Sequence, residues 1–243
     1  MFASTSTSCA DEMSSLPPRR RVRWTKSYRV VNSRFPPIDV FERIADPEDW
    51  ESLIELEMLT NPRVRQAVGE ISLVPVEERV SGPGATWVMA PFTHIGWPSR
   101  FSDGSWGAYY CARSLLTAVY EKAYHVGVFF SQTQEPLGTG MEVRALVATV
   151  DARFHDVRGA FRKAHDPNDY SASQALARSV REVGSNGIVY DSVRHEGGAC
   201  LAAFRPKAVH LPISGPNLRF HFDGARVDRW FHFGDQLWRE LVS

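Results

Sequence analysis

Gly107-Ala-Tyr-Tyr-Cys-Ala-Arg-Ser-Leu-Leu-Thr-Ala-Val-Tyr-Glu-Lys-Ala-Tyr-His125 changes character half-way along. Its first part, 107–112, is a run of small and aromatic residues that predicts a strand, and 114–125 is helical in composition. In an alternating strand Tyr109 and Tyr110 point to opposite faces, so only one of them can enter a given pocket. On the helix Glu121 shares a face with Ser114, Thr117, Ala118 and His125, whereas Leu115, Leu116 and Val119 lie towards another side.

Before this stretch, 85–90 predicts a strand and 91–106 a loop rich in Pro, Gly, Ser and aromatic residues. After it, strands are expected at 126–130, 142–150, 187–191, 199–204, 218–222 and 227–233. A helix over 173–183 is closed by Gly184-Ser-Asn-Gly187, a C-cap pattern. Nearer the start, 27–31 reads as a strand ending at Asn32-Ser33. Asp46-Pro47 opens a helix with Trp50, Leu53, Ile54 and Met58 at three- and four-residue spacing, which stops at Asn61-Pro62. A short helix over 63–68 ends at Gly69. These mixed elements predict an α+β domain around a largely antiparallel sheet. No internal repeat or second domain boundary is visible, so 27–243 is read as a single domain. Residues 1–26 are read as a flexible extension with the basic cluster Arg19, Arg20, Arg21, Arg23 and Lys26. That cluster is either a contact for phosphate or an acidic partner, or a solvated arm.

The chain has 243 residues, 43% hydrophobic and 23% charged, an ordinary balance for a globular protein. Lys+Arg and Asp+Glu are both 28, which argues against a whole-surface attraction to nucleic acid or anionic lipid. Cys9, Cys111 and Cys200 are scattered, so neither a disulfide scaffold nor a structural zinc site is expected. No run approaches the ~20 apolar residues of a membrane span, and the first residues lack an apolar signal core. The expectation is a cytoplasmic protein.

Four places carry candidate chemistry. Arg100, in Pro98-Ser-Arg-Phe-Ser-Asp-Gly104, suits a phosphate or carboxylate clamp, or else pairs with Asp103 or a neighbour. Tyr110 offers a hydroxyl and a stacking ring, or is simply core. Glu121, among small residues, has room to stabilise a developing cation or a sugar hydroxyl, or is a solvated surface carboxylate. Glu121 and His125 are spaced as metal ligands, but no third ligand lies at a helpful spacing and no metal is expected. Ser192 follows a strand and precedes Gly197-Gly198, where a hydrogen-bonding role is more natural than a nucleophile, because no G-x-S-x-G elbow is present. Neither G-x-G-x-x-G nor a P-loop occurs. Arg29 interrupts the first strand, and if buried it needs an anionic partner.

The order of these motifs resembles the RES-domain family, toxins of bacterial RES–Xre toxin–antitoxin pairs named for an Arg, a Glu and a Ser. Ser99-Arg-Phe-Ser-Asp-Gly104, Gly107-Ala-Tyr-Tyr-Cys-Ala112 and Thr117-Ala-Val-Tyr-Glu121 carry the resemblance, supported by 187–204 and by Tyr28-Arg29-Val30. It implies a fold like that of ADP-ribosyltransferases, and breakage of NAD at the nicotinamide–ribose bond by hydrolysis or phosphorolysis. The alternative is mono-ADP-ribosylation of a protein. By position, Arg100 would hold the NAD phosphates, Tyr110 would line the pocket, Glu121 would stabilise the ribosyl cation and Ser192 would hydrogen-bond the ligand. Arg29, and with it Phe101 and Arg194, would add contacts to NAD. NAD is then the substrate, with no separate cofactor. Many members carry Gly-Gly-Arg-Trp-Asn where this chain has Pro98-Ser-Arg-Phe-Ser102. The resemblance also implies an Xre-type helix-turn-helix antitoxin as partner, which would make any contact to DNA. The aromatic tail, Trp230, Phe231, Phe233 and Trp238, either forms a homodimer interface or finishes the core.

Overall fold

The computed structural model describes residues 16–33, 50 and 69–242. Eight strands form one sheet: β1 (Arg19–Asn32), β2 (Tyr109–Ala112), β3 (Gly140–Asp156), β4 (Gly187–Asp191), β5 (Ala199–Ala203), β6 (Ile213–Phe222), β7 (Val227–His232) and β8 (Leu237–Glu240). Three α-helices accompany them among the described residues: α1 (Ala85–Thr93), α2 (Leu115–Gln132) and α3 (Ser171–Glu182). The strand order is β1-β2-β5-β4-β3-β6-β7-β8, and only β3–β4 is parallel. The α+β class with a mostly antiparallel sheet is therefore as expected. No helix among the described residues is long and apolar enough to cross a membrane.

β1 also pairs with β3 from Arg19↔His155 to Asn32↔Val143, with a bulge between Trp24 and Ser27. The pairings β1–β2–β5–β4–β3 thus close on themselves. Two seams are short: β1 meets β2 only at Tyr28↔Ala112, and β3 meets β4 at His155↔Ile188 and Asp156↔Val189. One side of the sheet is packed by α1, whose Val88, Met89 and Phe92 meet Tyr109, Cys111, Val189 and Leu201. The other is packed by α2 and α3, whose Ala118, Val119, Ala123, Leu176 and Val180 meet Ala112, Ile188, Tyr190, Cys200 and Ala202. Alternation along β2, β4 and β5 sends successive side chains to these two layers, which places Tyr109 in the first and Tyr110 beside the second.

Several expectations are corrected. The basic stretch from Arg19 to Lys26 is no solvated arm but the first half of β1. Val22 and Trp24, two apart, are buried, while Arg19, Arg20, Arg21 and Arg23 occupy exposed positions. Arg21 forks onto Asp151 of β3 at 2.6 and 3.0 Å, so cross-strand pairing absorbs the charge. The run read as a strand over 85–90 is helix α1. A short apolar run does not distinguish a buried helix from a buried strand, and here all but Trp87, Ala90 and Pro91 are buried. The strand expected over 126–130 is the last part of α2, where Ala123, Val126, Gly127 and Phe130 continue the buried stripe of Val119. β8 was not foreseen. Trp230 joins the core, whereas Phe233 and Trp238 are exposed, and Phe231 lies between them at 5.2 and 5.3 Å. The elements read over 46–58, apart from buried Trp50, and over 63–68 lie outside the described residues.

β4 begins at Gly187 with φ +138°, where an added Cβ would stand 2.0 Å from the Ala202 carbonyl oxygen. Both the dihedral and the clash exclude a side chain. Gly187→Ala is expected to lower stability by roughly 2–4 kcal/mol in urea unfolding. A loss under about 0.5 kcal/mol, the ordinary surface value, would show that the β4–β5 pairing is not held as described.

Candidate active site

Because β1 and β2 share a single pair of residues, they part just beyond it, and Arg29 lies in the gap. Its guanidinium donates to the Tyr110 carbonyl at 3.1 Å and stands over the Tyr109 ring at 4.7 Å. A cavity of about 230 Å³ opens here, lined among others by Arg29, Arg100, Tyr110, Glu121, Lys122 and His125.

Arg100 is brought to this cavity by a turn from Ser99 to Ser102 that the start of α3 clamps. Ser173 Oγ donates to the Arg100 carbonyl at 2.5 Å, and Gln174 Nε2 to those of Ser99 and Ser102 at 2.9 and 3.2 Å. Phe101, fully buried, anchors the turn in the core, edge-on to Tyr190 at 4.8 Å. It does not line the cavity, so its expected contact to NAD is replaced by an anchoring role. The Tyr110 hydroxyl accepts from Phe101 N at 3.0 Å and bonds Ser99 Oγ at 2.8 Å, pinning the turn on both sides of Arg100. Burial, ahead of these bonds, pushes the Tyr110 phenol up to about 12. It is a neutral peg at ordinary pH.

The Arg100 guanidinium is only 7% exposed. It donates to the carbonyls of Ala164 at 3.2 Å and Asp166 at 2.7 Å and stands over Tyr170 at 4.6 Å. Asp103, the alternative partner, is held instead by Arg178 at 2.5 Å and by Ser105. Among the described residues no carboxylate pairs with Arg100 or Arg29. A buried guanidinium cannot shed its charge, so this one is stabilised by dipoles and a π-face while an anion position stays open.

Glu121 lines the same cavity as Arg100. Ser192 Oγ donates to Glu121 Oε1 at 2.6 Å, and Cys200 Sγ to the same oxygen at 3.8 Å. Ser192 Oγ itself accepts from the backbone N–H groups of Arg194 and His195, at 3.2 and 3.0 Å. With both lone pairs occupied, its single proton must point at the carboxylate. No described residue bonds Oε2, which is left for a ligand. The turn 192–198 approaches α2 closely because Gly198 has no Cβ, which would lie 2.7 Å from Thr117 Cγ2. Thr117 Oγ1 also bonds His195 Nδ1 at 3.0 Å, fixing the turn one helical turn before Glu121.

Arg100, Tyr110, Glu121 and Arg29 thus line one cavity, and Ser192 stands behind Glu121 as a positioning residue. Arg194 is elsewhere: it lies over Tyr124 at 3.4 Å and donates to the Pro167 carbonyl at 2.6 Å, so the expected NAD contact becomes a loop brace. Tyr170 and Lys122 were missed. Tyr170 precedes a helix that no sequence pattern ties to Arg100. Lys122 is one residue beyond Glu121, about 100° round the helix, so grouping by helix face sets it apart.

Burial lowers the proton affinity of three histidines, His125, His155 and His165. His165 accepts from Asp191 N at Nε2 (3.2 Å) and directs Nδ1 to the Phe161 carbonyl (3.3 Å), tying the loop that cradles Arg100 to the end of β4. Its proton affinity is lowered, first by burial, as is that of His155. The unfolded chain, with histidines near about 6.5, therefore takes up protons first, and stability falls as pH drops below about 6.5. The unfolding midpoint is expected to decrease between about pH 7 and 5, and less steeply in His165→Asn. A flat wild-type profile would contradict this. Tyr110→Phe, which frees the Arg100 turn, is expected to cost about 1–3 kcal/mol in the same assay, against no change if the hydroxyl is idle.

The family model described as RES domain matches residues 77–223, more than half of the chain, and takes in Arg100, Tyr110, Glu121 and Ser192 while leaving Arg29 outside. A protein of Sinorhizobium fredii (strain NBRC 101917 / NGR234), described as uncharacterized protein y4oC, is 32% identical over 212 residues, covering 86% of this chain and 87% of that protein. Among solved structures, a chain of the M. tuberculosis MbcT–MbcA toxin–antitoxin complex is similar over 89% of this chain and 93% of its own, at 12% identity and a TM-score of 0.43. The extent of the sequence matches makes the chain a member of the RES-domain family.

Proposed function

We propose that this RES-domain protein breaks NAD at the nicotinamide–ribose bond, by hydrolysis or phosphorolysis, as the toxin of a toxin–antitoxin pair. The observation that carries the reading is the meeting of an unpaired, buried guanidinium and a half-satisfied carboxylate on one cavity. A dinucleotide supplies a diphosphate for Arg100 and a ribose carbon that becomes cationic as the bond to nicotinamide breaks. The bonding pair leaves with the pyridinium nitrogen, so nicotinamide departs neutral and no general acid is required. The residual charge resembles that of an oxocarbenium ion, which the free Glu121 Oε2 can stabilise while Ser192 holds Oε1. Water or phosphate then bonds to the ribose carbon. At about 230 Å³ the cavity is smaller than the roughly 300–1,000 Å³ of sites that enclose a drug-sized ligand. It suits the nicotinamide–ribose half, with the adenosine half towards the opening.

A toxin of this kind implies an antitoxin, and the family relation points to an Xre-type helix-turn-helix protein that blocks the cavity. Release of nicotinamide from NAD by the purified protein tests the reading. Glu121→Gln is expected to slow release by about 10²–10³-fold with NAD binding retained. Arg100→Lys keeps the charge but loses the planar fork, and should raise KM more than it lowers kcat. Wild-type turnover unaffected by Glu121→Gln overturns the mechanism. Label from NAD appearing on a discrete protein, without free ADP-ribose or its phosphate, replaces it with ADP-ribosyl transfer.

A further inference from the structure

The cavity contains one cation for which the reading above has no use. Lys122 lies on its wall, half-buried, on the α2 surface that packs against β1. Among the described residues nothing forms a hydrogen bond or ion pair with its amine, and the charge it faces most directly is the like charge of Arg29. A lysine on a wall usually carries its amine out to water along its own stem. This one keeps it in the site beside a second cation. Among the described residues that line the cavity, Arg29, Arg100 and Lys122 oppose one carboxylate, Glu121, an excess that matches the two charges of a diphosphate.

Resting on the proposed NAD reaction, we propose that Lys122 is a further substrate-binding residue, whose amine joins the Arg29 guanidinium in holding a phosphate group of the dinucleotide. Arg100 lines the same cavity, so the diphosphate would be shared between its guanidinium and this pair. The Lys122 amine then acts as a point charge, complementing the planar fork of Arg29.

The environment gives this contact a signature. Burial, and then Arg29, lowers the Lys122 amine to about 8. The charged groups facing it are Arg29 on β1, Arg100 on its turn, and Glu121 and His125 on α2; Tyr28, Cys111, Tyr110, Tyr170, Tyr190 and Cys200 complete the titratable lining. Burial moves Tyr110 and Cys111 up to about 12 and raises Tyr190 and Cys200 well above their ordinary values. His125 is lowered by burial at the mouth and by Lys122, Arg194 and Arg100. A loss of substrate affinity as pH rises through about 8 is therefore the mark of the lysine, which binds an anion only while protonated.

The test compares wild type, Lys122→Met and Lys122→Arg by NAD kinetics from about pH 6 to 10, with pyrophosphate titrated calorimetrically into each. Lys122→Met is expected to raise KM for NAD about tenfold with kcat little changed, and to weaken pyrophosphate binding similarly. Wild-type kcat/KM should fall above about pH 8, whereas Lys122→Arg, charged throughout, holds its value there. Nicotinamide riboside, which has no phosphate, should be turned over alike by all three. An unchanged KM in Lys122→Met, or the same alkaline fall in Lys122→Arg, overturns the assignment. Should wild type release no nicotinamide, the NAD reading fails by itself. Lys122 is then judged on pyrophosphate, and equal affinity in wild type and Lys122→Met removes it as an anion contact.

Discussion

The structure depends on a buried guanidinium with which no carboxylate among the described residues forms an ion pair. Burying such a charge costs several kcal/mol unless dipoles or counter-charges offset it. Around Arg100 the offset comes from the carbonyls of Ala164 and Asp166 and from the ring of Tyr170. These are partial charges, and they leave the outer side of the guanidinium receptive to an anion. The surrounding architecture serves this arrangement. The start of α3 ties down the turn backbone, Tyr110 pins both residues beside Arg100, and Phe101 fills the core beneath it.

The carboxylate follows a different rule. Glu121 is fixed in direction by a serine whose proton has only one place to go. Half of the carboxylate is satisfied by the protein and half is available. His165, bonded to Asp191 N just before Ser192, is flanked by Ala164 and Asp166, whose carbonyls accept from Arg100, so one short loop ties the Arg100 cradle to the end of β4. The cleft and its charges are thereby assembled from β1, the Arg100 turn, β2, α2 and the segments at Tyr170, Tyr190 and Cys200. A shift in any one of them alters the distance between guanidinium and carboxylate.

Much of this was legible from residue order. Arg100, Tyr110, Glu121 and Ser192 stand in the sequence of the RES family, and alternation along 109–112 separated the two tyrosines correctly. The failures share a cause. Phe101 and Arg194 neighbour Arg100 and Ser192 in sequence, but alternation and turn geometry send Phe101 into the core and Arg194 onto Tyr124. The runs over 85–90 and 126–130 are apolar without a decisive period, and only the neighbouring layers determine that they are helical. The basic cluster from Arg19 was misread because charge dominates composition there, while Val22 and Trp24 carry the strand signal.

The sequence by itself determined the class of fold and the strand and helix around 107–125, because these follow from local periodicity. Tertiary structure alone decided that β1 and β2 part after a single pair, that Arg100 is buried with no carboxylate paired to it among the described residues, and that Lys122 stands in the same cavity. Each of these depends on which distant backbone groups arrive beside a side chain. Spacing along the chain carries no information about such encounters, since they are set by the packing of whole layers.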